Sequence, residues 1–244
     1  MEKNSAANII TSEGPFTRRW LVWPRFGAAN FFLWSFAALT VTVPARADDA
    51  ATCARVVRQR SSYSRVDALL SCMDFYFSNP EYDEPEGSFN NILKLGARVV
   101  EVDPLQASTY TNVAWLMWSK WVTWKDNPER MPDGADMADR AVAFLRQGEQ
   151  ALANDALYRK DEGDTIWPLA QFHLPDLYAF VIESYRAANA LTADPAVQVR
   201  VRLNLGHVYK QLQQNTEAAT WYRAVLEVDP DNAVAKRSLA EVGG

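Results

Sequence analysis

Residues 203–230 read LNLGHVYKQLQQNTEAATWYRAVLEVDP, two helices written back to back. Leu205, Val208, Tyr209 and Leu212 recur at helical spacing and form one apolar stripe. Ala218, Trp221, Tyr222 and Val225 form a second stripe, with Asn215 and Thr216 supplying the turn and the helix start between them. Asp229-Pro230 ends the second helix, because the proline ring disfavours helical backbone at the residue before it. Gly206 and Ala218 are the small residues of the two stripes. A bulky side chain at either would push the axes beyond the roughly 8–10 Å of close helix packing. Such a pair cannot bury both apolar faces by itself, so further pairs must stack on it.

Leu205-Gly206, Tyr209, Ala218, Tyr222 and Pro230 stand at spacings that resemble those of a tetratricopeptide repeat. The resemblance implies an all-α fold: a right-handed α-solenoid of antiparallel helix pairs. It also implies a protein that binds other proteins and does no chemistry on them. An upstream echo extends it, since AVLEVDP at 224–230 is matched by RVVEVDP at 98–104. After Pro104, the residues Tyr110, Val113, Ala114 and Met117 keep the spacings of a repeat's first helix, with Ala114 in the glycine's place. Its second helix is expected at 137–153, beyond the polar insert at 125–136. Residues 155–174 read as a degenerate first helix with Gly163 at the small position, and 175–195 as its partner with Tyr185 and Ala188. Ahead of Pro104, 87–100 reads as a second helix and about 64–78 as its first. Residues 231–244 supply a short helix of the kind that caps a solenoid's apolar end. The division is thus 48–103, 104–153, 154–195 and 196–230: about four units plus the cap.

The first 47 residues read differently. Lys3, Arg18, Arg19 and Arg25 precede the apolar run Phe26 to Val43, and Ala45-Arg46-Ala47 follows as a small-residue cleavage pattern. Residues 1–47 are therefore expected to be a signal peptide cut after Ala47, which places the mature chain in the periplasm or outside the cell. Thr17 to Val22 also resembles a twin-arginine export signal. The rival is an uncleaved inner-membrane anchor over 26–43, since about 18 residues just span a bilayer. Cleavage removes five of the 25 basic and two of the 30 acidic residues, leaving 20 against 28 and a net charge of −8. An acidic chain without a basic stripe is a poor partner for nucleic acid or anionic lipid. Export puts Cys53 and Cys72 in an oxidising compartment, where pairing is the default. The two lie equally far from the turn residues SSYS at 61–64, so an antiparallel hairpin would bring them face to face. The competing reading is two buried thiols, because helices about 9 Å apart can leave Cα atoms too distant to bridge.

In proteins of this family the first helices line a concave groove. Carried over, Ser108, Thr111, Asn112, Trp115, Trp118 and Ser119 would line it in one unit. In the last unit Arg200, Leu203, Asn204, His207, Lys210 and Gln211 would do so. Asn112 and Asn204 hold the same place, where an amide supplies both donor and acceptor to a peptide main chain; the bland reading is a solvated side chain. Trp115, Trp118, Trp121 and Trp124, spaced by three, drift around the helix and cannot all face one core stripe. Trp115 and Trp118 read either as core or as anchors for apolar peptide or a sugar ring. Arg200 and Lys210 would attract an acidic segment or a C-terminal carboxylate. His173 reads as a turn residue and His207 as a surface or groove residue. Neither histidine has the company a metal site needs, so no metal and no cofactor is expected. The carboxylates of EYDEPEG and RKDEGD read as solvated charge runs. The expected function is that of an adaptor or scaffold in the cell envelope. Its alternatives are a homo-oligomeric scaffold and a glycan-binding module.

Overall fold

The computed structural model describes Cys53, 64–78, 88–126 and 136–243. Among these residues there are nine α-helices and no strand. They are α1 (Arg65–Phe77), α2 (Ser88–Val102), α3 (Ala107–Trp124), α4 (Met137–Ala151), α5 (Ala156–Phe172), α6 (Tyr178–Leu191), α7 (Pro195–Gln211), α8 (Asn215–Val228) and α9 (Ala233–Gly243). A 3-10 turn at Pro175–Leu177 leads into α6. The expected signal peptide, its apolar run and most of the insert lie outside the described residues. Among the described residues, no helix is long and apolar enough to cross a membrane.

Local chemistry explains the boundaries. Ser64 caps α1 reciprocally: its hydroxyl accepts from the Asp67 backbone N–H, and the Asp67 carboxylate accepts from the Ser64 N–H. Asp155 accepts from the Leu157 and Tyr158 N–H groups at the start of α5, and Asp194 accepts from the Ala196 N–H ahead of α7. Pro195 opens α7, where its missing N–H costs nothing. Leu212 ends α7 and Gln213 follows at φ 59°, with the Gln214 N–H bonded to the Tyr209 carbonyl and the Gln213 N–H to that of Lys210. That is a Schellman turn, whose left-handed residue is usually glycine. Relieving the glutamine's Cβ strain at that position should add about 1 kcal/mol of stability. Gln213→Gly is therefore expected to raise Tm by ~3 °C in a thermal melt followed by circular dichroism. An unchanged or lower Tm would contradict the cap.

The helices pack as consecutive antiparallel pairs, α1 on α2, α3 on α4, α5 on α6 and α7 on α8, with α9 laid on α8. Successive first helices also meet, α3 lying against α5. The fold is an all-α, tetratricopeptide-like solenoid of four pairs and a capping helix. Gly163 and Gly206 show what sets the spacing within a pair. A Cβ at Gly163 would sit 2.7 Å from the Tyr185 ring, and one at Gly206 would sit 2.7 Å from Tyr222 Cδ1. Each tyrosine of the second helix lies directly over the glycine of the first. Ala114, fully buried, takes that place in α3. Cys53 and Cys72 are both buried and joined by a disulfide, which decides between the two readings of that pair.

Candidate functional site

The small residues Ala114, Gly163 and Gly206 put α3, α5 and α7 in one register. Asn112, Asp161 and Asn204 are then equivalent, as are Trp115, Asp164 and His207. Trp118, Trp167 and Lys210 form a third row, and Ser119, Pro168 and Gln211 a fourth. The tyrosines over the glycines reach through to this face. Tyr185 donates to Asp164 Oδ1 at 2.7 Å, and the Tyr222 hydroxyl lies 2.9 Å from His207 Nδ1. Asn204 Nδ2 donates to the same Asp164 oxygen at 3.0 Å, tying α7 to α5. Trp167 Nε1 and Tyr178 Oη both donate to Gln211 Oε1, at 2.9 and 3.0 Å.

The expected groove residues separate on this geometry. Arg200 and Trp115 are exposed, Trp115 at 39 %, while Asn112, Asn204 and His207 are half-buried. Trp118 does not open outward. It is only 9 % exposed and packs edge-on against Trp115, with ring centroids 6.3 Å apart. Its row faces the next first helix, and α5 covers it. Lys210 is not a free cation, since it is ion-paired with Glu241 of the capping helix. Lys160, on the same side of α5, pairs with Asp164 at 2.7 Å and with Asp161. Burial, with Lys210 nearby, holds the His207 imidazole below its usual range, so it is neutral near pH 7. The face is thus not basic, and an acidic partner gains little from it. His173 ends α5 and packs edge-on against Trp121.

The larger departure lies in RKDEGD. Arg159, Lys160 and Glu162 are buried, Glu162 completely. Arg159 bonds Glu162 at 2.9 Å and is paired with Glu149, while Arg146 bonds Glu149 at 2.7 Å and Glu183 at 2.6 Å. Ser184 donates to Glu162 Oε2 at 3.0 Å, and Glu162 Oε1 is buried with no ordinary donor facing it. Burial first, then the Glu149 carboxylate, pushes the Glu162 carboxyl up to about 9. Burial also pushes on Glu149, but hydrogen bonds from Glu162, Arg146 and Arg159 outweigh it and hold it below the usual range. Of the two carboxyl groups, Glu162 is the one that holds its proton more tightly. This cluster joins α4, α5 and α6 and is structural: Glu162 occupies the place of the core residue Leu205. The signal missed in the sequence was register, since Glu162 directly precedes Gly163 as Leu205 precedes Gly206.

Among the described residues, no group of three or more His, Cys, Asp or Glu side chains is placed to hold a metal. Residues 199–232 match the family model of the tetratricopeptide repeat. No curated protein matches the chain. Two solved structures are similar to it at a distance. One is the crystal structure of MamA protein, with 16 % identity over 70 % of this chain and 80 % of that one at a TM-score of 0.42. The other is a thermophilic TPR protein of Thermus thermophilus, with 19 % identity over 79 % of this chain and 98 % of that one at a TM-score of 0.45. The assignment itself rests on the matched repeat and the helix pairing. Residues 199–232 are thus a tetratricopeptide repeat, and the described helices pair in the manner of that repeat. Repeats of this kind generally serve to bind other proteins.

Proposed function

We propose that the chain holds an extended segment of a protein partner along the face shared by α3, α5 and α7, in the cell envelope. One observation carries the reading. Successive first helices present Trp115, Leu157 at 54 % exposure, and Arg200 on one side, uncovered by any other described helix. Large apolar side chains left open in a row beside polar ones are what a peptide anchor needs. Half-buried Asn112 and Asn204 add amide groups in the neighbouring row, although Asn204 already donates to Asp164. Arg200 has no ion-pair partner among the described residues, so it supplies a single positive anchor at the C-terminal end. The envelope location is supported by the leader-like residues 1–47 and by a buried disulfide, which persists in oxidising compartments.

Trp115→Ser combined with Arg200→Ala removes two exposed anchors, at the cost of the edge contact of Trp115 with buried Trp118. Capture of the partner by tagged protein from an envelope extract should fall at least ~10-fold, as expected for losing two anchors of 1 kcal/mol or more. The cooperative melt should be kept, with Tm lower by only the few degrees that loss of about 1 kcal/mol of ring contact gives. Undiminished capture would contradict the face assignment. Dimers in light scattering that dissociate in the double variant would point instead to a second copy of this chain as the occupant. Lys210 is a poor target, because removing it also frees Glu241 on the cap.

A further inference from the structure

The capping helix keeps the register of the helices before it. Leu239-Ala240 stand 34 residues after Leu205-Gly206. Buried Ser238 meets the Tyr222 hydroxyl as Asn204 meets that of Tyr185. α9 is thus placed as a further first helix. The row Ser108, Leu157 and Arg200 accordingly continues to Val234, and all four are exposed, Val234 at 43 %. Where α7 meets the end of α8, this row borders an open cavity of about 490 Å³. α7 lines it with Ala196, Val199, Arg200 and Leu203, and the end of α8 with Val228 and Asp229. Asp229 accepts from Asn232 Nδ2 at 2.9 Å, whereas Arg200 has no ion-pair partner among the described residues.

We propose that this cavity takes a glutamate side chain of the partner segment, flanked by two apolar residues of the same segment. The inference rests on the reading of α3, α5 and α7 as the partner-binding face, and adds α9 to it. The glutamate carboxylate accepts from the Arg200 guanidinium, while its methylenes lie against Val199, Leu203 and Val228. The flanking apolar side chains rest on exposed Leu157 to one side and exposed Val234 to the other. Because the row continues past Arg200 to Val234, the carboxylate belongs to a side chain and not to a chain end. One carboxylate is wanted and not an acidic run, since Asp229 in the lining repels a second. Neighbouring first helices at close packing stand roughly 8–10 Å apart. A polyproline II segment returns to the same side every three residues, about 9 Å along its axis. The pattern that fits the row is therefore apolar-x-x-Glu-x-x-apolar.

The test titrates the full chain, by calorimetry, with a doubly capped Leu-Pro-Pro-Glu-Pro-Pro-Val peptide, whose prolines favour the polyproline II form. Its glutamine counterpart keeps the shape without the charge. The glutamate peptide should bind at least ~10-fold more tightly than the glutamine peptide, the effect of one charge-assisted contact. Arg200→Gln should erase that difference. Ala196→Phe fills the cavity from an exposed position, so it should abolish binding of both peptides. Val234→Ser should weaken both severalfold and leave their ratio intact. Cooperative melts should be kept in all three variants. Equal binding of the two peptides, no binding of either, or a glutamate preference that survives Arg200→Gln would overturn the proposal. So would tighter binding of an N-capped Leu-Pro-Pro-Gln peptide with a free carboxylate, which would make the ligand a chain end. Capture of a partner on α3, α5 and α7 with no peptide binding sinks the cavity site alone. Glutamate-selective binding without such capture keeps the site and sinks the wider reading.

Discussion

Arg159→Leu lowers the stability of the folded chain by about 3–5 kcal/mol in urea unfolding at pH 7, the cost of removing one partner from a buried ion cluster. Arg159 is the only cation in contact with Glu162 among the described ion pairs, and it also neutralises Glu149. Without it, two carboxyl groups stay buried between α4 and α5, and Arg146 reaches only one of them. Glu162→Gln should behave in the opposite way. The amide keeps the acceptor toward Arg159 and Ser184 and offers N–H where the protonated carboxyl offers O–H. The sign of its pH dependence is fixed. Glu162 has a folded pKa near 9 against an ordinary value of 4.5, so the native state holds a proton that the unfolded state releases. Wild-type stability therefore falls as pH rises from about 5 to about 9. The glutamine variant lacks that slope and should be more stable at pH 8 by on the order of 1–3 kcal/mol. Glu149, held low, contributes stability that is lost as pH falls below its ordinary value. A wild-type profile flat between pH 5 and 9 would show that folding does not raise the Glu162 carboxyl.

Breaking the Cys53–Cys72 link is the second large effect. The bridge closes a separation of 19 residues, for which the loop-entropy relation gives about 3 kcal/mol. Both sulfurs are buried, so the bond acts as a staple on α1. Cys53→Ala with Cys72→Ala should lower the unfolding free energy in urea by that amount, and dithiothreitol should produce the same loss in the wild type but none in the variant. A wild-type midpoint indifferent to reductant would show that the bridge contributes nothing, and would weaken the case for an exported chain.

These two regions mark where the sequence was and was not legible. The small-aromatic-proline spacing of 203–230 specified a packing geometry, because Gly206 must face an aromatic ring at contact distance, and the structure places Tyr222 there. Periodicity likewise separated the helices. It did not expose the polar cluster, since RKDEGD looks the same whether α5 turns it to water or to α4 and α6. Only the alignment of Gly163 with Gly206 shows that Glu162 stands at a core position. Trp118 was ambiguous for a related reason. An i, i+3 run of tryptophans drifts around the helix, and whether one is covered depends on the neighbouring helix, α5, rather than on α3. Lys210 looked available because its partner Glu241 lies 31 residues away on the cap, a pairing that no local pattern contains.

The claim that a protein segment lies along α3, α5 and α7 is tested most directly by photo-crosslinking in the cell. A photoreactive phenylalanine analogue would replace Ser108 or Arg200, both exposed on that face, and Arg223, exposed on α8. The account predicts that the same partner polypeptide is crosslinked from positions 108 and 200 and not from 223. Crosslinks from 223 alone, or different partners from 108 and 200, would contradict it.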